Sequence, residues 1–224
     1  MGNTIRFKFS KGPEVKFLSH LDLVRAMERA LRRAGLPIAY TEGFTPRPVM
    51  SYGFALPVGV SSVAEYGDFR FAEDMEASQF MDCYNKHLPK GFQVLAAEEL
   101  QEGAASLMSE INAASWEIVL PGKSAEDVEQ RWGWLQSVDS FVVERETKKG
   151  TRSVNIRPLL LEVAKISPSP QGTVIHCFTA VGNEGNLRIE ELGQLLDFSH
   201  LGASITRTGQ FNKVGNHYRP PLGN

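Results

Sequence analysis

The segment from Ser19 to Gly35 can be little other than a helix, and it constrains everything that folds around it. Ser19-His20-Leu21-Asp22 places an N-cap hydroxyl three residues ahead of a carboxylate, close to a capping box. Leu23, Met27, Ala30, Leu31 and Ala34 recur on one side at helical spacing. Gly35 then supplies a left-handed cap, and Pro37 forbids continuation. Thr4 to Ser10 ahead of it alternates apolar and polar residues, as a half-buried strand does. Beyond it, IAYT and VMSYGFAL read as extended pieces broken by Pro46 and Pro48, and EYGDFRFAE as a strand. MEASQFMDCYNKHL is an amphipathic helix ending before Pro89, and GFQVLAAEEL closes the set. That order is a split βαβ pattern.

The second half runs the same way after a linker, QEGAASLMSEINAA. SWEIVLP is a strand, and Ser124 with Asp127 opens a helix. SFVVERET, LLLEVAKI and TVIHCFTAV are strand candidates around turn-like KKGT and SPSPQG; NLRIEELGQLL is a helix and SITRTGQF a last strand. The expectation is therefore an α+β protein of two ferredoxin-like (split βαβ) units in tandem, with antiparallel sheets and helices on one face. The units span residues 1–102 and 112–210, and residues 211–224 form an extended tail.

In a chain of 224 residues the net charge of −2 conceals a polarised distribution. Residues 1–60 carry nine basic and four acidic side chains, net +5; residues 61–110 carry ten acidic and three basic, net −7. Two distant cysteines, Cys83 and Cys177, exclude a disulfide scaffold or a cysteine-rich cluster. The apolar runs are too short to span a bilayer. The N-terminal residues lack an apolar signal core and read as a strand. A cytoplasmic location is expected, with no metal and no cofactor: no phosphate-binding glycine loop occurs, and no histidine pair has metal-ligand spacing.

Candidate chemistry gathers in the first third. Arg25, Arg29, Arg32 and Arg33 fall on one arc of the first helix, opposite its apolar side. All are arginine, which forms bidentate pairs with phosphate and stacks on bases where lysine offers a point charge. A solvated, partly neutralised helix face is the competing reading. GFTPRPVMSYG follows, with no carboxylate between Glu42 and Glu65. Phe44 and Tyr52 offer rings for base stacking, Arg47 a phosphate contact; the competing reading is a stiff connection with its rings in the core. Lys148, Lys149, Arg152 and Arg157 make a second basic patch, or a charged hairpin tip. His20, at the first turn of the helix, is a weak candidate for acid–base catalysis of RNA cleavage.

From Ser19 to Tyr66 the chain resembles the uncharacterised radical-SAM-linked proteins. That bacterial domain of unknown function is found fused to, or encoded beside, radical S-adenosylmethionine enzymes. The resemblance rests on Ser19 to Asp22, the arginines from Arg25 to Arg33, Glu42 to Pro48, Leu56 to Gly59, and Arg152 with Arg157-Pro158. Many members have histidine or lysine between the two prolines where this chain has Arg47. The chain lacks the three-cysteine motif of a radical enzyme, so the resemblance implies a partner or substrate-presenting module. The expected function is an RNA-binding accessory protein, tRNA being the favoured class, that serves a radical S-adenosylmethionine enzyme in RNA modification. Two alternatives are a subunit that docks on that enzyme without nucleic acid, and a metal-independent nuclease using His20.

Overall fold

Alternation along β1 (Thr4–Lys11) organises the first unit: Ile5, Phe7 and Phe9 are buried on one face of the strand, and Arg6 points to the other. The computed structural model describes residues 2–148, 150–182 and 185–223, and the chain divides into two units. Residues 1–111 and 209–224 form the first, and residues 112–208 the second. The protein is mixed α/β with mostly antiparallel strand pairing, and the described residues form five α-helices.

In the first unit β1 is flanked by β3 (Ser61–Arg70) and β4 (Phe92–Glu99). A three-residue strand, β2 (Met50–Tyr52), pairs with β3 on its other side. Two helices, α1 (His20–Ala34) and α2 (Ala77–Asn85), supply the apolar cover. The ends of α1 follow from its caps: Ser19 Oγ accepts from the Asp22 N–H at 3.2 Å, and Gly35 adopts φ 63°. Leu23, Met27, Ala30 and Leu31 of α1 and Phe80 and Tyr84 of α2 pack on Ile5, Phe7, Phe69 and Phe71. Phe7 lies 4.5 Å from Phe69 and 5.4 Å from Phe80, centroid to centroid. Tyr84 donates to the Met27 carbonyl at 2.9 Å, so its polar end is satisfied inside the cluster.

Residues 101–111 of the segment read as a linker belong to this unit, and the last two residues of that segment open β5 (Ala113–Pro121). Residues 101–111 include a short helix, α3 (Leu107–Glu110), with Leu107 and Ile111 buried. The residues read as a tail are also structured. β10 (Ser204–Val214) enters the first unit at Gly209, and Gln210 donates to the Ala64 carbonyl at 2.7 Å. After Gly215 (φ 58°) the chain returns as β11 (His217–Arg219), and Leu222 is buried.

The second unit comprises β5 (Ala113–Pro121), α4 (Ala125–Gln136), β8 (Leu160–Ser169), β9 (Gly172–Ala180), α5 (Ile189–Leu196) and the opening stretch of β10, in the strand order β10-β5-β9-β8. SFVVERET is not a strand of this sheet. β6 (Val142–Thr147) pairs only with β7 (Gly150–Asn155), as a separate hairpin. Its charged residues leave neither face apolar enough to bury. Arg145 anchors the hairpin by a bidentate pair to Glu191 of α5 at 2.6 and 2.7 Å.

Gly67, opposite Phe7 in the β1–β3 register, is the tightest point of the aromatic cluster. A Cβ there would fall 2.7 Å from Phe7 Cζ and 3.2 Å from Tyr52 Cδ1. Gly67→Ala is expected to lower stability by about 1–3 kcal/mol through overpacking, although alanine suits a strand at least as well. Urea denaturation measures it, and an unchanged midpoint would show that the rings have room.

Candidate nucleic-acid interface

A turn of 100° per residue places Arg25, Arg29, Arg32 and Arg33 within an arc of about 100° on α1, and all four are exposed. Arg25 reaches Asp22 at 3.5 Å, Arg32 pairs with Glu28, and Arg33 donates to the His87 carbonyl at 2.6 Å. Arg29 makes no side-chain hydrogen bond or ion pair among the described residues. Solvent-exposed pairs one helical turn apart are worth about 0.3–0.5 kcal/mol, so they hold these arginines only weakly against a phosphate.

Six residues beyond α1 the chain forms a narrow hairpin. Its stem is held by Val49 N–H to the Ala39 carbonyl (2.8 Å), Thr41 N–H to the Arg47 carbonyl (2.8 Å), and Arg47 N–H to Thr41 Oγ1 (3.1 Å), with Tyr40 bridged to Pro48. Ala39 also donates to the Arg70 carbonyl of β3 at 2.8 Å. Gly43 takes φ 127° with nothing within 4 Å of its missing side chain, so the tip stands in open space. Phe44 there is 110 % exposed, and Tyr40 on the stem is 47 % exposed. The side chain of Arg47 is exposed and makes no ion pair among the described residues.

Tyr52 is placed differently. Its ring meets Phe9, Phe69 and His20 edge-on at about 6 Å, and its hydroxyl is buried. Burial, with Glu28 as a lesser cause, pushes its phenol far above the usual range. It is a core residue rather than a stacking platform. His20 lines a cavity of about 10 Å³ with Lys11, Tyr52, Glu65 and Tyr66. That volume holds about one water, far less than a phosphodiester. Lys11, 1 % exposed, donates to the carbonyls of Lys16 and Leu18 at 3.1 and 2.9 Å and so fixes the turn that leads into Ser19. That turn displays Phe17 at 72 % exposure, a residue that sequence reasoning passed over along with Tyr40. Each lies within five residues of a singled-out cap or loop residue, the only signal available.

In the second unit, Lys148 and Arg152 are exposed on the β6–β7 hairpin, whereas Lys149 lies outside the described residues. Arg157 is committed elsewhere. It donates to the carbonyls of Leu135 (2.7 Å) and Leu160 (3.2 Å) and stacks over Trp132 at 5.3 Å, so it caps the end of α4.

Four carboxylates of the first unit line a cleft. Ile5, Phe7 and Phe69 point toward the helices, so by strand alternation Thr4, Asp68 and Arg70 point away from them. On that side lies a cleft of about 700 Å³ lined by Asp68, Asp74, Glu99 and Glu102, with Arg70 as the basic exception. Within this unit α1 thus presents four exposed arginines beside Asp22 and Glu28, while Asp68, Asp74, Glu99 and Glu102 line the cleft.

A family model described as "Uncharacterized protein conserved in bacteria (DUF2344)" matches residues 4–189, and the chain belongs to that family. No curated protein matches the chain.

Among the described residues the buried Tyr52 hydroxyl has no hydrogen-bond partner. Tyr52→Phe removes an unsatisfied polar group and should leave stability unchanged or raise it by about 1 kcal/mol. A loss of more than about 1 kcal/mol in thermal or urea denaturation would mean that the hydroxyl is satisfied by an internal water.

Proposed function

We propose that this member of the family is a non-catalytic RNA-binding accessory protein, tRNA being the favoured class of ligand. Its contact surface is the arginine face of α1 with the adjoining hairpin. The observation that carries this reading is the arginine face of α1: four exposed arginines share one arc, with Asp22 and Glu28 the carboxylates beside them, while Asp68, Asp74, Glu99 and Glu102 line the cleft. A polyanion approaching the helix side meets these cations without meeting the carboxylates of the cleft. Service to a radical S-adenosylmethionine enzyme is proposed from the sequence resemblance alone. We also read both units as ferredoxin-like. In each, the first strand lies between the third and the fourth, and the second borders the third, with two helices supplied by the crossovers.

A second reading has its own support. Phe17, Leu21 and Val58 are 72 %, 66 % and 60 % exposed around the start of α1, where Gly59 donates to the Lys16 carbonyl at 2.9 Å. Exposed apolar groups of this kind suit a protein interface. Docking on an enzyme without nucleic acid is the reading that stands if RNA does not bind.

Filter binding of tRNA across a salt series separates the two. Micromolar or tighter binding is expected at low salt, falling steeply as salt rises. Arg29→Ala with Arg32→Ala should reduce the slope of log K against log salt by roughly 1.4–1.8, the loss of two phosphate contacts. Absence of binding at low salt, or a double variant with an unchanged slope, overturns the proposal.

A further inference from the structure

We infer that the Phe44 hairpin is a stacking arm that selects unpaired bases, so that the ligand is RNA with an accessible single-stranded loop or end rather than continuous duplex. This rests on the RNA-binding reading above and narrows it. Phe44 contributes nothing to the core, since at 110 % exposure it is more open than a residue in an extended chain. Keeping such a ring in water is unfavourable, and the stem holds its backbone there. Three hydrogen bonds of 2.8–3.1 Å close the hairpin, a fourth ties Ala39 to β3, and Pro46 and Pro48 restrict the backbone between them. A backbone held in place before binding loses little conformational entropy when the ring it carries is covered.

The chemistry around the ring favours a nucleobase as its cover. Arg47 lies three residues away with its guanidinium exposed and without an ion pair among the described residues, and Thr45 adds an exposed hydroxyl. Glu42, two residues before Phe44, is the one carboxylate of the hairpin, and from Gly43 to Ala64 the chain has none. Aromatic rings stack on any base, and arginines beside them hold the backbone. Within a duplex, however, both faces of each base are covered by neighbours. The A-form major groove is too deep and narrow for a protruding side chain to read. A ring at the tip of a narrow hairpin therefore finds an open base only in a loop, a bulge or an end.

Fluorescence anisotropy with three labelled RNAs of equal phosphate number tests this: an unstructured oligonucleotide, a stem-loop and a blunt duplex, all at one low salt concentration. The unstructured and looped RNAs should bind roughly 5- to 150-fold more tightly than the duplex, the range expected for one stacked base. Phe44→Ala should abolish that preference with an unchanged unfolding midpoint and salt slope. Phe44→Trp should keep the preference and show quenching, above the wild-type tryptophan background, with unpaired RNA only. If all three RNAs bind equally and Phe44→Ala changes nothing, or weakens all three alike, the inference is wrong while RNA binding stands. If none binds, RNA binding itself has failed. A Phe44→Trp variant that responds to phosphatidylserine vesicles and not to unpaired RNA would assign the arm to a membrane surface and overturn the inference.

Discussion

The guanidinium of Arg6, on a residue 2 % exposed, has an acceptor for each of its five N–H groups, and the first unit is assembled around it. Asp68 of β3 takes two of them at 2.8 and 3.0 Å, and Glu110 of α3 takes one at 2.6 Å. The Ala105 carbonyl takes another at 2.8 Å, and the Pro221 carbonyl the last at 3.3 Å. Four stretches far apart in sequence thus meet on one side chain: two strands, the segment after β4, and the C-terminal residues. Burial acts against the charge, but Asp68 and Glu110 outweigh it and hold the group protonated above the normal arginine range. Removing one member of such a buried set typically costs about 3–5 kcal/mol, because the remaining charges are stranded.

That contact also bears on function. The segment that Arg6 holds through Ala105 and Glu110 forms one wall of the acidic cleft, from Leu100 to Ser106. Two carboxylates, Asp68 and Glu110, share the single charge of Arg6, while Asp74, Glu99 and Glu102 line the cleft together with Asp68. α1 carries its four arginines beside Asp22 and Glu28.

Local chemistry was legible in the sequence, and long-range packing was not. The limits of α1 follow from Ser19, Asp22 and Gly35, each acting within one turn. The exposure of Phe44 accords with its place among Gly43, Pro46 and Pro48. Tyr52 escaped the same logic because a shift of one residue in a strand reverses the face of its side chain. Only the pairing of Tyr52 with Gly67, a residue without a side chain, makes room for its ring inside. Arg157 escaped because the carbonyls that hold it, those of Leu135 and Leu160, belong to other elements. The residues after 210 carry no local pattern; Leu222 is buried and Pro221 bonded through a partner 215 positions away. SFVVERET has strand composition but no apolar face, so it paired with its neighbour and left the sheet.

The direct test of a helix-side RNA surface is photo-cross-linking of 4-thiouridine-substituted tRNA to the protein, with the linked peptides mapped by mass spectrometry. RNA binding on the helix layer predicts cross-links within residues 25–47, with Phe44 among them and the cleft segment 99–106 unmarked. Cross-links confined to the cleft segment or to the second unit would contradict it.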